Sequence, residues 1–359
     1  MVVPPALSPR LAKTGLRVPI IQAPMAGVAT LALALEVCKA GALGSLSLVG
    51  LSVAEAASQI RAMKAATAAP FQVNLFCHVE PANDPENETA WLKLLEPHFQ
   101  RSGAVPPAEL NAPLGTFVGD DAMLAMVLEL APPIVSFHLG LPSDAAIRAL
   151  RIAGIEMMVT VTSQAEARMA RRAGIQILVA QGAEAGGHRG IMDLALADEL
   201  LPTRDLLTSL RIFDDVDLVA AGGAMDGADI AGLLALGAGA VQMGTAFLCC
   251  DEAATSAPYR RAIHASGLNS TVITRAVTGR PARAIANALT TIAGDDRAIP
   301  DFPLPASASA ALTRAAADRS IDLGAYWAGT GSARARAMPA RHLIATLQAE
   351  MAHHLRTTQ

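Results

Sequence analysis

Aromatic residues are scarce in this 359-residue chain, at 3% of the total, and charged residues make up only 17%. The formal net charge is −4, and no stripe of Lys and Arg stands out along the sequence. Nucleic-acid-binding proteins depend on such basic surfaces, so we expect no partner of this class. With few rings available, the core must be built from Ala, Leu, Val and Ile, which dominate the 52% hydrophobic content.

Continuous apolar segments that would enter a membrane are also lacking. The first twenty residues hold scattered Pro and Arg, so we expect no secretory signal and a cytoplasmic protein. Residues 230–250 carry no formal charge and are long enough to cross a bilayer. Four glycines and Gln242 interrupt them, however, which predicts the end of a buried helix, a turn and a buried strand. We therefore expect no membrane association.

The chain has four cysteines, and none has the spacing of a metal-ligand pair. Cys249 and Cys250 are vicinal, and a disulfide between neighbours would be strained. Packed, unreactive thiols are the simplest interpretation, and no metal site is predicted. A GxGxxG dinucleotide fingerprint after a strand is missing as well.

One pattern recurs along the sequence: a predicted helix ends in an apolar residue followed by Gly, and an apolar run begins almost directly after it. Glycine at this position supplies the left-handed residue that ends a helix. Runs that rarely alternate are typical of parallel strands buried on both faces. The pattern occurs at Ala40-Gly41, Ala153-Gly154, Ala173-Gly174 and Leu236-Gly237.

Eight apolar runs are predicted to be strands, with helices between them. Two helix starts show capping-box spacing, at Ser52 with Glu55 and at Ser163 with Glu166. The predicted strands are Pro19–Pro24, Leu43–Ser47, Phe71–Leu75, Ile134–His138, Ile155–Val161, Ile175–Ala180, Asp217–Ala221 and Ala240–Met243.

Strands that alternate with helices imply right-handed parallel crossovers, and eight such units predict an α/β fold, a (β/α)8 TIM barrel in residues 1–250. An open doubly wound sheet is the alternative. Residues 78–119 are rich in Pro and exceed a minimal barrel, so we expect this small inserted region to cover the barrel mouth as part of a lid. Residues 251–359 are predicted as a C-terminal helical extension with a lid, a helix that closes the barrel and a tail.

Polar and glycine-rich segments stand at the carboxyl ends of these strands, where barrel enzymes place their active sites. Phosphate often binds at the last two loops of a barrel, where glycines let the backbone approach an anion. Tight turns are the alternative explanation for those glycines. The segments are Ala23–Gly27, Asn74, His138–Gly140, Gln181–His188, Ala221–Gly223 and Gln242–Thr245.

The same segments resemble the signature blocks of the nitronate monooxygenase family. The block that ends in Glu-Ala-Gly-Gly-His is shared with related flavin reductases, whereas its combination with Phe137-His138 is more selective. Tyr326–Gly329 resembles a further family block, although Thr330 stands where the family pattern has Gln. The four main blocks are Pro19–Gly27, Val135–Gly140, Gln181–His188, and Ala221–Gly223 followed by Gln242–Thr245.

The resemblance implies FMN as cofactor, with amide side chains and backbone donors along the flavin and its phosphate at the last two loops. It also implies that alkyl nitronates, and neutral nitroalkanes, are oxidised by O2 through a flavin semiquinone to a carbonyl compound and nitrite. A homodimer is compatible with it. The implied cofactor contacts are Met25, Asn74, Gln181, Gly182, Gly186, Gly222, Gly223, Gln242, Met243, Gly244 and Thr245.

His138 is the candidate for catalysis. A His at the carboxyl end of a barrel strand can reach a bound substrate, and its ordinary pKa suits a general base or, when protonated, an anion partner. A buried His bonded to a neighbouring carbonyl is the alternative. His188 could contact flavin, substrate or only its own loop, and Glu184 could be an acid or an anchor of the glycine loop.

Two other functions stay open. The first is a flavin reductase that takes hydride from NADH or NADPH, of the quinone reductase or enoyl-ACP reductase type. A nicotinamide that only visits the flavin would not require the missing fingerprint. The second is a barrel that binds a sugar phosphate, as an isomerase or as a catalytically silent binding protein, which would explain the phosphate loops but not Asn74, Gln181 and His138.

Overall fold

The computed structural model of the chain describes residues 7–267, 269–293, 299–317, 319 and 321–357. Eight parallel strands form one sheet, and all eight predicted runs overlap them. These strands are β1 (Ile20–Gln22), β2 (Gly44–Ser47), β3 (Phe71–Phe76), β4 (Ile134–His138), β5 (Glu156–Val161), β6 (Ile177–Gln181), β8 (Asp217–Ala221) and β9 (Ala240–Met243).

The sheet closes on itself between β1 and β2. Its order is β1-β9-β8-β6-β5-β4-β3-β2, and two hydrogen bonds cross the remaining gap. The Leu43 amide donates to the Ile20 carbonyl at 3.0 Å, and the Gln22 amide donates to the Leu43 carbonyl at 2.9 Å. The predicted (β/α)8 barrel is therefore confirmed, and the open doubly wound sheet is excluded.

Helices cover the outside of the barrel, and the last of them completes the ring. This helix, α12, packs against α9 and α2, so it takes the place of the eighth outer helix although it lies far along the chain from β9. The helices are α1 (Pro9–Lys13), α2 (Leu31–Lys39), α3 (Val53–Ala66), α4 (Pro85–Arg101), α5 (Asp121–Leu130), α6 (Asp144–Ile152), α7 (Gln164–Ala173), α8 (Thr203–Leu210), α9 (Gly227–Ala235), α10 (Ala257–Ala265), α11 (Pro305–Ala317) and α12 (Ala340–Thr357).

The predicted capping boxes differ in outcome. Ser52 and Glu55 form the complete reciprocal pair at the start of α3. Ser163 accepts from the Glu166 amide at the start of α7, but the Glu166 carboxylate bonds to the amide and hydroxyl of Thr162 instead of returning to Ser163. The spacing thus predicted both helix starts but only one of the two boxes.

Residues outside the minimal barrel form a second layer over its mouth. Trp91, Leu95 and Phe99 of α4 pack in a separate hydrophobic cluster with Ala308 and Leu312, which belong to α11. The region after residue 250 is not only helical, because it contains β10 (Thr271–Thr274) and β11 (Ala282–Ile285). These two strands pair antiparallel with each other, and β11 also pairs with the two-residue β7 (Gly187–His188).

The uncharged stretch 230–250 forms the end of α9, a turn and β9, as its glycines predicted. Among the described residues, every helix is too short or too polar to cross a membrane. Inside the barrel, Ile21, Ile134 and Val219 belong to an apolar cluster separate from the one between strands and helices. The bottom of the barrel is therefore filled with aliphatic side chains, and polar residues follow toward the carboxyl ends of the strands.

Candidate active site

A cavity of about 340 Å³ lies at the carboxyl ends of the barrel strands. Segments from both ends of the sequence converge on it, as expected for a barrel. Gly182 is the one predicted site residue outside the cavity wall. The side of Gly182 that would carry a Cβ faces Thr203 instead, because such an atom would lie 2.1 Å from the Thr203 hydroxyl oxygen. The predicted residues that line the cavity are Met25, Asn74, His138, Gln181, Gly186, His188, Gly222, Gly223, Gln242, Met243, Gly244 and Thr245.

Amide side chains form the polar inner wall of the cavity. Asn74 donates to the carbonyl and the hydroxyl of Ser136, at 3.1 and 3.0 Å. Gln72, two residues earlier on the same strand, faces the same side and donates to Gln242 Oε1 at 3.4 Å. The wall therefore offers hydrogen-bonding groups from three strands, β3, β4 and β9, to a polar, ring-shaped ligand.

His138 ends β4 and is tied to the backbone of the glycine loop. Its Nε2 lies 3.1 Å from the His188 carbonyl oxygen, which also accepts from Gln181 Nε2 at 2.9 Å. A carbonyl can only accept, so Nε2 of His138 must carry the hydrogen and Nδ1 must hold the lone pair. The alternative considered for His138, a ring bonded to a neighbouring carbonyl, is thus what the structure shows. This bond uses Nε2 and leaves Nδ1 able to accept a proton.

Aromatic rings pack around the histidines on the side of the second layer. The Phe76 ring centroid is 5.6 Å from that of His138 and 5.9 Å from that of His188. Trp327 lies 5.5 Å from His188, whose Nε2 is 2.9 Å from the Thr278 hydroxyl. Aromatic rings therefore cover one side of both histidines, which line the cavity and remain partly exposed.

Burial sets the charge of the histidines. It lowers the pKa of His138 to about 4, and the Arg280 guanidinium acts in the same direction. Burial likewise lowers the pKa of His188 to about 3 and, with Arg280 again contributing, that of His78 to about 4. At neutral pH these shifts favour the uncharged form of all three rings, in which the free nitrogen of His138 can accept a proton.

These shifts predict that the protein loses stability in mild acid. The three pKa values lie below the ordinary value of 6.5, so between pH 6.5 and 4 the unfolded chain binds protons that the folded protein does not. Near pH 5.5 the free energy of unfolding should fall by about 3–4 kcal/mol for each unit by which the pH is lowered. The slope from the three groups should shrink to about 1 kcal/mol per unit at pH 7 and vanish above about pH 8.

Urea denaturation of the protein between pH 7.5 and 5 measures this slope. His78→Leu should remove about one third of it, because one of the three protons is lost. His264→Leu, an exposed residue on α10, is the matched control and should leave the slope as it is. A flat stability profile in this range would contradict neutral buried histidines.

The last two barrel loops present backbone amides to the cavity. Gly222 and Gly223 follow β8 with φ values of +125° and +76°, which only glycine adopts without strain. Within the described part of the chain, the Gly223 and Ala224 amides donate to no other residue, and both residues line the cavity. Unpaired amides beside the Thr245 hydroxyl make this end receptive to an anion such as phosphate.

Segment 326–331 closes this end of the cavity. The Gly329 amide donates to Thr245 Oγ1 at 2.9 Å, and the Thr330 amide donates to the Glu184 carbonyl at 3.0 Å. The departure at Thr330 from the family pattern is therefore compatible with this contact, which uses the backbone. The Glu184 carboxylate accepts from the amide and hydroxyl of Thr203 at 2.9 and 2.8 Å, so it anchors the glycine loop.

Several cavity residues were not assigned to the site from the sequence, among them Phe76, Thr278, Tyr259 and Trp327. Trp327 lay in a block that resembled the family, which was the one signal available.

Cys249 and Cys250 are buried free thiols, and burial raises the pKa of Cys250 to about 12. In the described ranges no group of His, Cys, Asp and Glu side chains is arranged to hold a metal ion.

Comparison with known proteins gives consistent matches over almost the whole chain. A model of the nitronate monooxygenase family matches residues 8–350. A protein named nitronate monooxygenase from Paraburkholderia phytofirmans is 45% identical over 340 residues, which are 94% of this chain and 93% of that protein.

Solved structures agree with this match. The nitroalkane oxidase from Streptomyces ansochromogenes has a TM-score of 0.87 and 37% identity, and the alignment covers 97% of this chain and 99% of the other. FabK from Thermotoga maritima has a TM-score of 0.73 and 24% identity over 97% of each chain. At that identity the second likeness concerns the fold alone.

Proposed function

Because the chain belongs to the nitronate monooxygenase family, a family of oxidoreductases, we propose that it is an FMN-dependent enzyme that oxidises alkyl nitronates with O2 to a carbonyl compound and nitrite. Neutral nitroalkanes enter the same reaction after His138 removes their α-proton. The observation that carries the proposal is a neutral His, with a lone pair on Nδ1, in a cavity that has amide groups along one wall and unpaired backbone amides at one end.

The residues of the cavity fit FMN. The backbone amides of Gly223 and Ala224 and the hydroxyl of Thr245 would hold its phosphate, while Asn74 and Gln181 would bond the polar edge of the flavin. Met25, Gly186, Gly222 and the segment Gln242–Gly244 would complete the contacts. FMN would supply the electron-accepting chemistry that amino-acid side chains do not offer. Gly182, which lies behind the wall, is assigned no contact.

His138 acts as the base in this proposal. Nδ1 takes the α-proton of a neutral nitroalkane, and the His188 carbonyl stabilises the resulting imidazolium through the Nε2–H bond. The lowered pKa keeps the ring unprotonated at neutral pH and thus ready to accept the proton. A nitronate arrives already deprotonated and bypasses this step, so His138 should matter less for it.

An anaerobic spectrum separates this function from the alternatives. The purified protein should be yellow, and adding ethyl nitronate without O2 should bleach the oxidised flavin bands, with the line shape telling one-electron from two-electron reduction. NADH and NADPH should bleach them far more slowly. Rapid bleaching by NADH with no response to the nitronate would favour a flavin reductase, and a colourless protein that binds no added FMN would favour the sugar-phosphate barrel.

The predicted cytoplasmic location and homodimer stay predictions.

A further inference from the structure

Arg189 follows His188 and is completely buried, although it carries a charge. Its Nε and Nη2 form a two-pronged pair with Asp198, at 2.7 Å to Oδ2 and 2.9 Å to Oδ1. Such bidentate geometry fixes the plane of a guanidinium and compensates its burial. The third nitrogen, Nη1, is therefore aimed in one direction, and that direction is the end of strand β6.

At the end of β6, Arg189 sets the orientation of the Gln181 side chain. Nη1 donates to Gln181 Oε1 at 3.2 Å, and the Gly190 amide donates to the same oxygen at 2.8 Å. Both are donors only, so Oε1 must face them and the amide group cannot be reversed. Nη1 also donates to the backbone carbonyls of Gln181 and Gly182 at 3.1 and 2.9 Å, which fixes the turn after the strand.

With Oε1 committed, Gln181 Nε2 points at the His188 carbonyl, the group that accepts from His138 Nε2. A continuous set of contacts thus runs from Asp198 through Arg189 and Gln181 to the His188 carbonyl and ends at His138. Every donor and acceptor along it has a single possible role. The contacts fix both the position of that carbonyl and the nitrogen of His138 that bears the hydrogen.

We propose that Arg189, held by Asp198, is a positioning residue that keeps His138 in the Nε2–H tautomer and so makes Nδ1 the basic atom. The role rests on the proposed function, because it concerns proton removal from a neutral nitroalkane. Without Arg189, Gln181 could rotate, the His188 carbonyl would lose its fixed place, and His138 would populate the other tautomer, in which Nδ1 carries a hydrogen and cannot act as a base.

The kinetic test compares a neutral nitroalkane with its preformed nitronate in the flavin-loaded enzyme. Arg189→Lys keeps the charge but loses the two-pronged geometry. It should lower the ratio of kcat/KM for the neutral substrate to kcat/KM for the nitronate by about tenfold, in the range found when outer partners of a working side chain are removed. Asp198→Asn should act in the same direction. Arg171→Lys, from the exposed pair of Arg171 with Asp215, is the matched control and should leave the ratio unchanged.

A second readout does not depend on activity. Nitrogen-15 NMR of histidine-labelled holoenzyme, with the His138 signals assigned by their loss in His138→Asn, should show the Nε2–H tautomer in the wild type and a mixture in Arg189→Lys. Equal kinetic losses on both substrates, or an unchanged tautomer in the variant, would overturn the positioning role. If neither variant folds, an Nδ1–H tautomer in the wild type overturns it. A wild type that shows the Nε2–H tautomer but oxidises no nitronate refutes the proposed function alone.

Discussion

His138→Asn is expected to lower kcat/KM for a neutral nitroalkane by about 10²–10⁴-fold, the usual contribution of a positioned general base. The His188 carbonyl still accepts from Gln181 Nε2 in this variant, so the glycine loop should keep its place. What is lost is the lone pair on Nδ1. His188 is a neighbouring neutral imidazole, but its Nε2 is engaged with Thr278. Steady-state oxygen uptake at saturating FMN measures the effect.

The preformed nitronate gives the internal control for this variant. Because the nitronate needs no base, its kcat/KM should fall much less than that of the neutral substrate. The flavin content should remain that of the wild type, since His138 makes no proposed contact with the phosphate. His264→Asn, an exposed histidine on α10, tests for a general effect of the substitution. Wild-type turnover of the neutral nitroalkane by His138→Asn would refute the assigned role.

The barrel could be predicted because its signals are local. Each strand is a short apolar run, and the helices before several of them end at a glycine in the left-handed region, such as Gly174 at φ +85° and Gly237 at φ +103°. Strand ends were less certain. The run Ile175–Ala180 was predicted, whereas β6 spans Ile177–Gln181. A strand buried on both faces has no alternation, so hydrogen bonding and not hydrophobicity sets its limits.

The position of the site followed from the fold class, since polar residues at the ends of parallel barrel strands must meet. The residues that cover the site from the second layer could not be predicted in this way. Thr278 and Trp327 reach His188 across about 90 and 140 residues of sequence, and no local pattern announces such contacts. The strand β10 had a signal in its Thr-Val-Ile-Thr sequence, but β7, which pairs with β11 at the other edge of the same small sheet, has two residues and shows no periodicity.

The tautomer of His138 could not be predicted from the sequence either. It depends on a backbone carbonyl, that of His188, and the sequence does not say where a carbonyl will point. The environment of His78 is not visible in the sequence either: the residue is buried, with its ring centroid 4.8 Å from that of Phe302. A lone His at the start of a proline-rich stretch fits a surface role or a packing role equally well, and only the packing of the second layer over the barrel decides between them.

Gly186→Ala is expected to weaken FMN binding by about 10–100-fold, because overpacking at a backbone contact costs about 1–3 kcal/mol. A Cβ on Gly186 would lie 2.5 Å from the carbonyl carbon of Ala328 and from the amide nitrogen of Gly329. Both are main-chain atoms, so no change of rotamer relieves the clash and segment 326–331 must move. Its bonds to Thr245 and Glu184, which close the end of the cavity proposed for the phosphate, would then be lost.

Gly187→Ala is the matched control for this variant. Gly187 has φ +77° and nothing within 4 Å of a Cβ, so the substitution strains the backbone by about 1–2 kcal/mol without touching segment 326–331. Titration of each apoprotein with FMN, followed by quenching of the flavin fluorescence, gives the two dissociation constants. Gly186→Ala should bind FMN much more weakly than Gly187→Ala, even where their Tm values without FMN are alike. Equal dissociation constants would mean that contact between the glycine loop and segment 326–331 does not hold the cofactor site together.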